Sequence, residues 1–310
     1  MDDTIYVIGH KSPDTDSICS AIAYAHFKQK LGMKNVKAAR LGEPNLETKF
    51  VLDYFKVDLP EILEDGSGKK LILLDHNEVS QTIEKIDEGE ILEIIDHHKI
   101  GDIQTPNPIF FHAEPIGSTA TIIADFYFDE GIDLEKDIAG ILLASILSDT
   151  VIFKSPTCTQ KDKDIAKKLA SMVGIEIEKF GIDMFKAKAD LASKSAREIL
   201  VTDFKEFDFS GNRVGIGQIE VMDEEEVQMK RKEILEEMEN LRNEKGLVMV
   251  TLMITNILKE GSELLFVGDK KEIFERAFNA KVENDSIYLE GVMSRKKQVV
   301  PPLENAFAHA

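Results

Sequence analysis

Four short runs in the first 185 residues constrain the fold most strongly: Ile5 to Ile8, Val36 to Ala39, Leu71 to Leu74 and Leu92 to Ile95. Each is nearly continuous in apolar character, the pattern of a strand covered on both faces rather than one with a wet side. Amphipathic helical stretches lie between and after them, at Ser17 to Leu31, Glu47 to Tyr54, Ser80 to Asp87, Ser118 to Phe128, Lys136 to Leu147 and Gln160 to Met172. Strands alternating with helices build right-handed βαβ units and a parallel sheet. In such sheets ligands bind beyond the carboxyl ends of the strands.

The polar, small-residue stretch Lys186 to Ser195 interrupts this pattern. It suggests a first domain over 1–188, a linker over 189–195 and a second domain over 196–310. In the second domain, Ile199 to Phe209 and Val214 to Val221 predict two strands joined by the turn residues Ser210-Gly211-Asn212. A charged helix from Asp223 to about Asn243 follows, then strands at Leu247 to Thr255 and Leu264 to Val267, a helix at Lys270 to Phe278 and a strand at Ile287 to Leu289. The expected class is α/β: a parallel-sheet N-terminal domain and a smaller α/β C-terminal domain with a mixed sheet.

Composition narrows the partners. The 310 residues carry 38 Lys and Arg against 57 Asp and Glu, a net charge of −19. A broad basic surface for nucleic acid is therefore excluded, although a small anion remains a suitable substrate if positive charge is gathered at one point. Two cysteines, Cys19 and Cys158, provide no disulfide framework and suit a reducing cytosol. The start Met1-Asp2-Asp3-Thr4 lacks a basic, apolar leader, and no apolar run approaches the roughly 20 residues of a membrane helix, so a cytoplasmic protein is expected.

Potential metal ligands stand where the first domain's strands end. His10, Asp14 and Asp16 follow the first strand, Asp75 and His76 the third, and Asp96-His97-His98 the fourth; Asp149 closes an apolar helix. An aspartate such as Asp16 can simply cap a helix, and His76 or Asp96 can pack or orient a neighbour. Four such clusters together are another matter, because gathered carboxylates and imidazoles repel or desolvate one another unless cations sit between them. Asp149 also faces the negative end of its helix dipole. Mixed N/O ligands suit two divalent ions; manganese fits, with cobalt, zinc or magnesium as alternatives.

His10-x-x-x-Asp14-x-Asp16, Asp75-His76-Asn77 and Asp96-His97-His98 resemble the successive motifs of the DHH phosphoesterase superfamily. With Ser294-Arg295-Lys296-Lys297-Gln298 near the C-terminus, the whole chain resembles the family II, manganese-dependent inorganic pyrophosphatases. The resemblance implies that His10 and Asp14 ligate one Mn²⁺, that Asp16, His97 and Asp149 ligate a second, and that Asp75 bridges them. Co²⁺ is an alternative to Mn²⁺, and additional Mg²⁺ is expected to arrive with the substrate. By the same resemblance His98, Lys205, Arg295 and Lys296 bind and activate pyrophosphate, and the chain forms a homodimer.

The chemistry expected is hydrolysis to two orthophosphates by a hydroxide that the paired metals activate for in-line attack. Rival readings are another DHH phosphoesterase (an exopolyphosphatase, or an oligonucleotide or nucleotide phosphodiesterase) and a non-catalytic manganese- or phosphate-binding module. The chain has no Gly-Gly pair, no Trp and five Tyr, which leaves few platforms for stacked bases. Gly66-Ser67-Gly68-Lys69-Lys70 lacks the spacing of a P-loop and has Lys where a metal-holding hydroxyl should stand.

Overall fold

The computed structural model describes residues 3–309. They form two compact units, with the chain boundary between Lys188 and Ala189. In the first unit the elements run β1 (Ile5–Ile8), α1 (Thr15–Lys30), β2 (Val36–Arg40), α2 (Leu46–Phe55), β3 (Glu61–Ile62), β4 (Lys70–Leu74), β5 (Glu90–Asp96), β6 (Phe110–Ala113), α3 (Thr119–Asp129), α4 (Lys136–Asp149) and α5 (Gln160–Val173), with α6 (Ile177–Ala189) reaching the boundary. The six strands are parallel in the order β3-β2-β1-β4-β5-β6. The order reverses between β1 and β4, and that switch point is where such sheets open a crevice at the strands' carboxyl ends.

One face of the sheet packs on the helices, with α4 central: every residue from Ile138 to Ser148 is buried. A helix apolar all round belongs in a core, and trimming Leu142 to Ala there would cost about 2–5 kcal/mol. The other face is thinner. Tyr6, Ile8, Leu71, Leu73 and Ile94 are covered by Ile83 and neighbouring loop residues. The helix expected over Ser80 to Asp87 is absent; two short 3₁₀ turns, Val79–Gln81 and Ile86–Glu88, stand there instead. Thr82 between them is extended, and Thr82 and Ile83 are both buried, so this segment covers the sheet as a loop.

The second unit contains α7 (Ala196–Val201), β7 (Phe204–Phe209), β8 (Asn212–Val221), α8 (Glu225–Met229), α9 (Arg231–Lys245), β9 (Met249–Asn256), β10 (Gly261–Gly268), α10 (Lys271–Phe278), β11 (Ser286–Glu290), a π-helical turn over Arg295–Val299 and α11 (Val300–Ala308). Its five-stranded sheet, β11-β10-β9-β8-β7, is mixed: β8 and β9 are parallel and the other pairs antiparallel. The strand expected from Ile199 begins only at Phe204, because Ser195 and Glu198 form a capping box that starts α7. The charged helix is two helices. Its break at Lys230 coincides with that ammonium's bonds to the carbonyls of Leu191 and Ala192, both 2.8 Å. Among the described residues, no helix is long and apolar enough to cross a membrane.

Candidate metal centre

Each ligand candidate of the first unit is positioned by a strand or helix end at the switch point. Asp14, not Asp16, caps α1: its Oδ1 accepts from the Ser17 N–H at 3.0 Å. Asp16 is thereby released from capping. Its carboxylate lies at the start of α3 instead, accepting from the N–H groups of Thr119 (2.7 Å) and Ala120 (3.1 Å) and from Ser20 Oγ (2.7 Å). Asp75 follows β4 in the left-handed region at φ +62°, which Asp tolerates better than most residues, and its Oδ1 accepts from Thr119 Oγ1 at 3.0 Å.

Two imidazoles are oriented by backbone carbonyls. His10 Nδ1 donates to Lys11 O at 2.7 Å and His97 Nδ1 to Ile116 O at 3.0 Å. Carbonyl oxygens only accept, so each ring keeps Nε2 for another partner. His10 Nε2 lies 3.5 Å from both Asp14 and Asp75; His97 Nε2 lies 3.2 Å from Asp75 and 3.7 Å from Asp149. His97 Nε2 is buried with no hydrogen-bond partner.

Ligand atoms within 4.8 Å of one another form three groups: His10 with Asp14 and Asp75; Asp16 with Asp75, His97 and Asp149; and Asp75 with His97 and His98. Asp75 is common to all three. The orphaned His97 nitrogen and this crowd of oxygen donors fit divalent cations with N/O coordination. His10, Asp14, Asp75, His97, His98 and Asp149 line a cleft of about 690 Å³, with Asp16 buried behind it. His98 is half-exposed on its edge, with Nδ1 2.9 Å from Asp96 Oδ1, and the fully buried Asp96 also accepts from the His97 and His98 N–H groups.

Without cations, protons balance the charge. Burial lowers the affinity of His10 for its proton, but Asp14 and Asp75 outweigh it and carry its pKa up to about 11. Burial likewise opposes His97, and Asp75 brings it up to about 9. Burial and then Asp75 push Asp16 up to about 6, and burial with Asp16 and Asp75 holds Asp149 well above the usual carboxylate range. Asp75 goes the other way: burial is overcome by His10 and His97, which hold it low. The crowding that raises proton affinity at these groups equally favours cations among them.

Strain accompanies Asp149. Val151, Ile152 and Phe153, just beyond it, all have left-handed φ values of 49°, 50° and 67°, each costing roughly 1–2 kcal/mol. Ile152 is buried against α6, where a Cβ on Gly181 would come within 2.7 Å of its side chain. In the second unit, Lys205 on β7 and Lys296 in the π turn are exposed. Arg295 is buried, with its guanidinium engaged by Asp203. The roles of Thr119 and the α3 N-terminus escape sequence reasoning. Gly117-Ser118-Thr119 signals only a helix cap, which Ser118 indeed provides.

The fold and its centre define a class, a two-part DHH phosphoesterase. Residues 4–146 match the model of the DHH family, N-terminal domain, and residues 182–306 that of the DHHA2 domain. A Methanothrix thermoacetophila protein named manganese-dependent inorganic pyrophosphatase is 58% identical over 309 residues, covering 99% of both chains. One of the same name from Methanocaldococcus jannaschii is 51% identical, covering 97% of this chain and 99% of its own. A crystal structure from Methanococcus jannaschii, described as a candidate family II inorganic pyrophosphatase, superposes with a TM-score of 0.61 at 51% identity, covering 98% of this chain and all of that one. The chain belongs to the family of manganese-dependent inorganic pyrophosphatases.

Proposed function

We propose that the protein hydrolyses inorganic pyrophosphate to two orthophosphates at a centre of two divalent cations, with Mn²⁺ as the working metal and Co²⁺ as a substitute. Asp75 carries this reading: one buried carboxylate belongs to both main donor sets, as a bridge between paired ions must. His10 and Asp14 hold one ion with it, and Asp16, His97 and Asp149 the other. The names of relatives at 58% and 51% identity support both the substrate and the metal.

Cations held there would supply Lewis acidity and a water of near-neutral pKa. The chain's own residues do the rest. Carbonyls of Lys11 and Ile116 hold His10 and His97 with Nε2 free. Asp96 holds His98 by Nδ1, leaving Nε2 to hydrogen-bond the leaving oxygen as charge develops. Lys205 and Lys296, both exposed, bind phosphate as compact charges and offset locally the −19 of the chain; Arg295 joins them as a directional donor by exchanging part of its bond to Asp203 for phosphate. Further Mg²⁺ enters with the substrate. The working state is a cytoplasmic homodimer; sedimentation of the purified protein tests the dimer.

Phosphate release from pyrophosphate, tripolyphosphate and a short oligonucleotide, after chelation and reloading with Mn²⁺ or Mg²⁺, tests the reading. Strong preference for pyrophosphate, lost on chelation and highest with Mn²⁺, is expected. Comparable turnover of the oligonucleotide, or activity that survives chelation, would overturn it.

A further inference from the structure

We propose that Glu47 is a positioning residue for the metal centre, a role that rests on the reading of that centre given above. Glu47 lies in the first turn of α2 and is completely buried. Its Oε1 accepts two hydroxyls from distant parts of the chain: Thr15 Oγ1 at 2.7 Å and Ser148 Oγ. Thr15 stands between Asp14 and Asp16, and Ser148 directly precedes Asp149. One oxygen atom therefore joins the loop that carries ligands of both donor sets to the helix end that carries another. Oε2 makes no hydrogen bond and faces Lys188 Nζ at 3.5 Å.

Helix capping does not explain this carboxylate. The N-terminus of α2 is capped by Asn45, whose Oδ1 accepts from the Thr48 N–H at 2.8 Å. Packing does not explain it either, because an apolar side chain would fill the space without the several kcal/mol needed to desolvate a charge. An acceptor that can gather two hydroxyls at one point is what the position uses. Partners bonded directly to a ligand are typically worth about 10- to 100-fold in metal affinity; Glu47 acts one residue further out, through the buried Thr15 and Ser148, and Thr15 Oγ1 also lies 3.1 Å from Thr48 Oγ1. A weaker tie runs alongside: Ser145 Oγ shares its one proton between Ile141 O at 3.0 Å and Thr15 O at 3.3 Å.

The test uses the full chain stripped of metal, with Mn²⁺ affinity measured by calorimetry and folding by circular dichroism. Ser148→Ala should weaken Mn²⁺ binding a few-fold, and Glu47→Ala by about 10-fold, the lower end of the range for groups that bond the ligands directly. Because both act through one clamp, the double variant should be no worse than Glu47→Ala, the non-additivity of groups that share a partner. Glu47→Gln keeps an acceptor oxygen and should recover most of the affinity. Wild-type affinity in Glu47→Ala and Ser148→Ala, or losses that simply add in the double variant, would overturn the proposal. If Glu47→Ala does not fold, Ser148→Ala and Thr15→Val decide: weakened binding in both supports it and unchanged binding in both rejects it. The readout is metal binding, so a wild-type protein that binds Mn²⁺ yet leaves pyrophosphate intact refutes the proposed reaction and not this clamp.

Discussion

Nη2 of Arg295 lies 2.8 Å from both carboxylate oxygens of Asp203, 92 residues earlier in the chain. Nη1 of the same guanidinium donates to the backbone carbonyls of Asp203 and Ile216. The arginine thus ties the π turn to the start of β7 and to β8, besides any contact with phosphate. Arg295→Ala should lower the stability of the second unit by about 1–3 kcal/mol, the usual cost of losing bonds to a charged group, as well as raise KM. Arg295→Lys should not restore stability, since an ammonium cannot reproduce the planar fork. Thermal melts read the first effect; an Arg295→Ala melt identical to the parent's would show that the tie is idle.

Asp75 is the one carboxylate common to the donor sets, so its loss should differ in kind from that of its neighbours. Asp75→Asn is expected to release both ions, whereas Asp14→Asn should release one. Metal content by atomic emission after gel filtration distinguishes the two, and a fully loaded Asp75→Asn protein would remove the bridge.

Asp149 sits at the C-terminal end of α4, largely but not fully covered and beside Asp16 and Asp75, and all three circumstances disfavour its charge. Asp149→Asn should therefore raise the Tm of the metal-free protein while abolishing most of the further rise that Mn²⁺ produces in the parent. This is the trade expected where stability is given up for a site. A metal-free Tm that falls on substitution would contradict it.

Protons and cations compete for the same atoms. His97 is raised from an ordinary 6.5 to about 9 and His10 to about 11. Each stabilises the metal-free fold fully below its unfolded pKa, and that contribution is lost as pH climbs through the folded value. Asp16, raised to about 6, adds a loss between about pH 4 and 6. The metal-free Tm should accordingly decline from pH 6 to pH 10, while Mn²⁺ binding tightens over the same range and releases protons. Calorimetry in buffers of different ionisation enthalpy counts those protons; Mn²⁺ binding with no proton release at pH 7 would defeat the prediction.

Legibility followed the range of the interaction. Strands β1 and β4 were readable because a covered strand needs an apolar run of its own; β2 and β5 are covered only in part and were readable from their β-branched and aliphatic residues, and the Asp and His residues beside these strands stood out. The covering segment at Ser80 to Asp87 was not, since burial of both Thr82 and Ile83 depends on the sheet beneath. Short strands β3 and β6 carry too few residues to show a period, and β6 is half-exposed through Phe110 and Phe111. In sequence Glu47 is one acid at the start of an amphipathic helix, as the helix dipole favours; only its contacts with Thr15 and Ser148, 32 and 101 residues away, distinguish it.

The amino-acid order alone determined the alternation of strand and helix, the parallel sheet that follows from it, and which chemical groups wait at the strand ends. Those properties come from patterns a few residues long. Tertiary structure decided that Asp14 rather than Asp16 caps α1, that Asp75 lies between two donor sets, and that Arg295 is held by Asp203. Such pairings depend on strand order and on which segments the core brings together, and no local period encodes the distance between residues tens of positions apart.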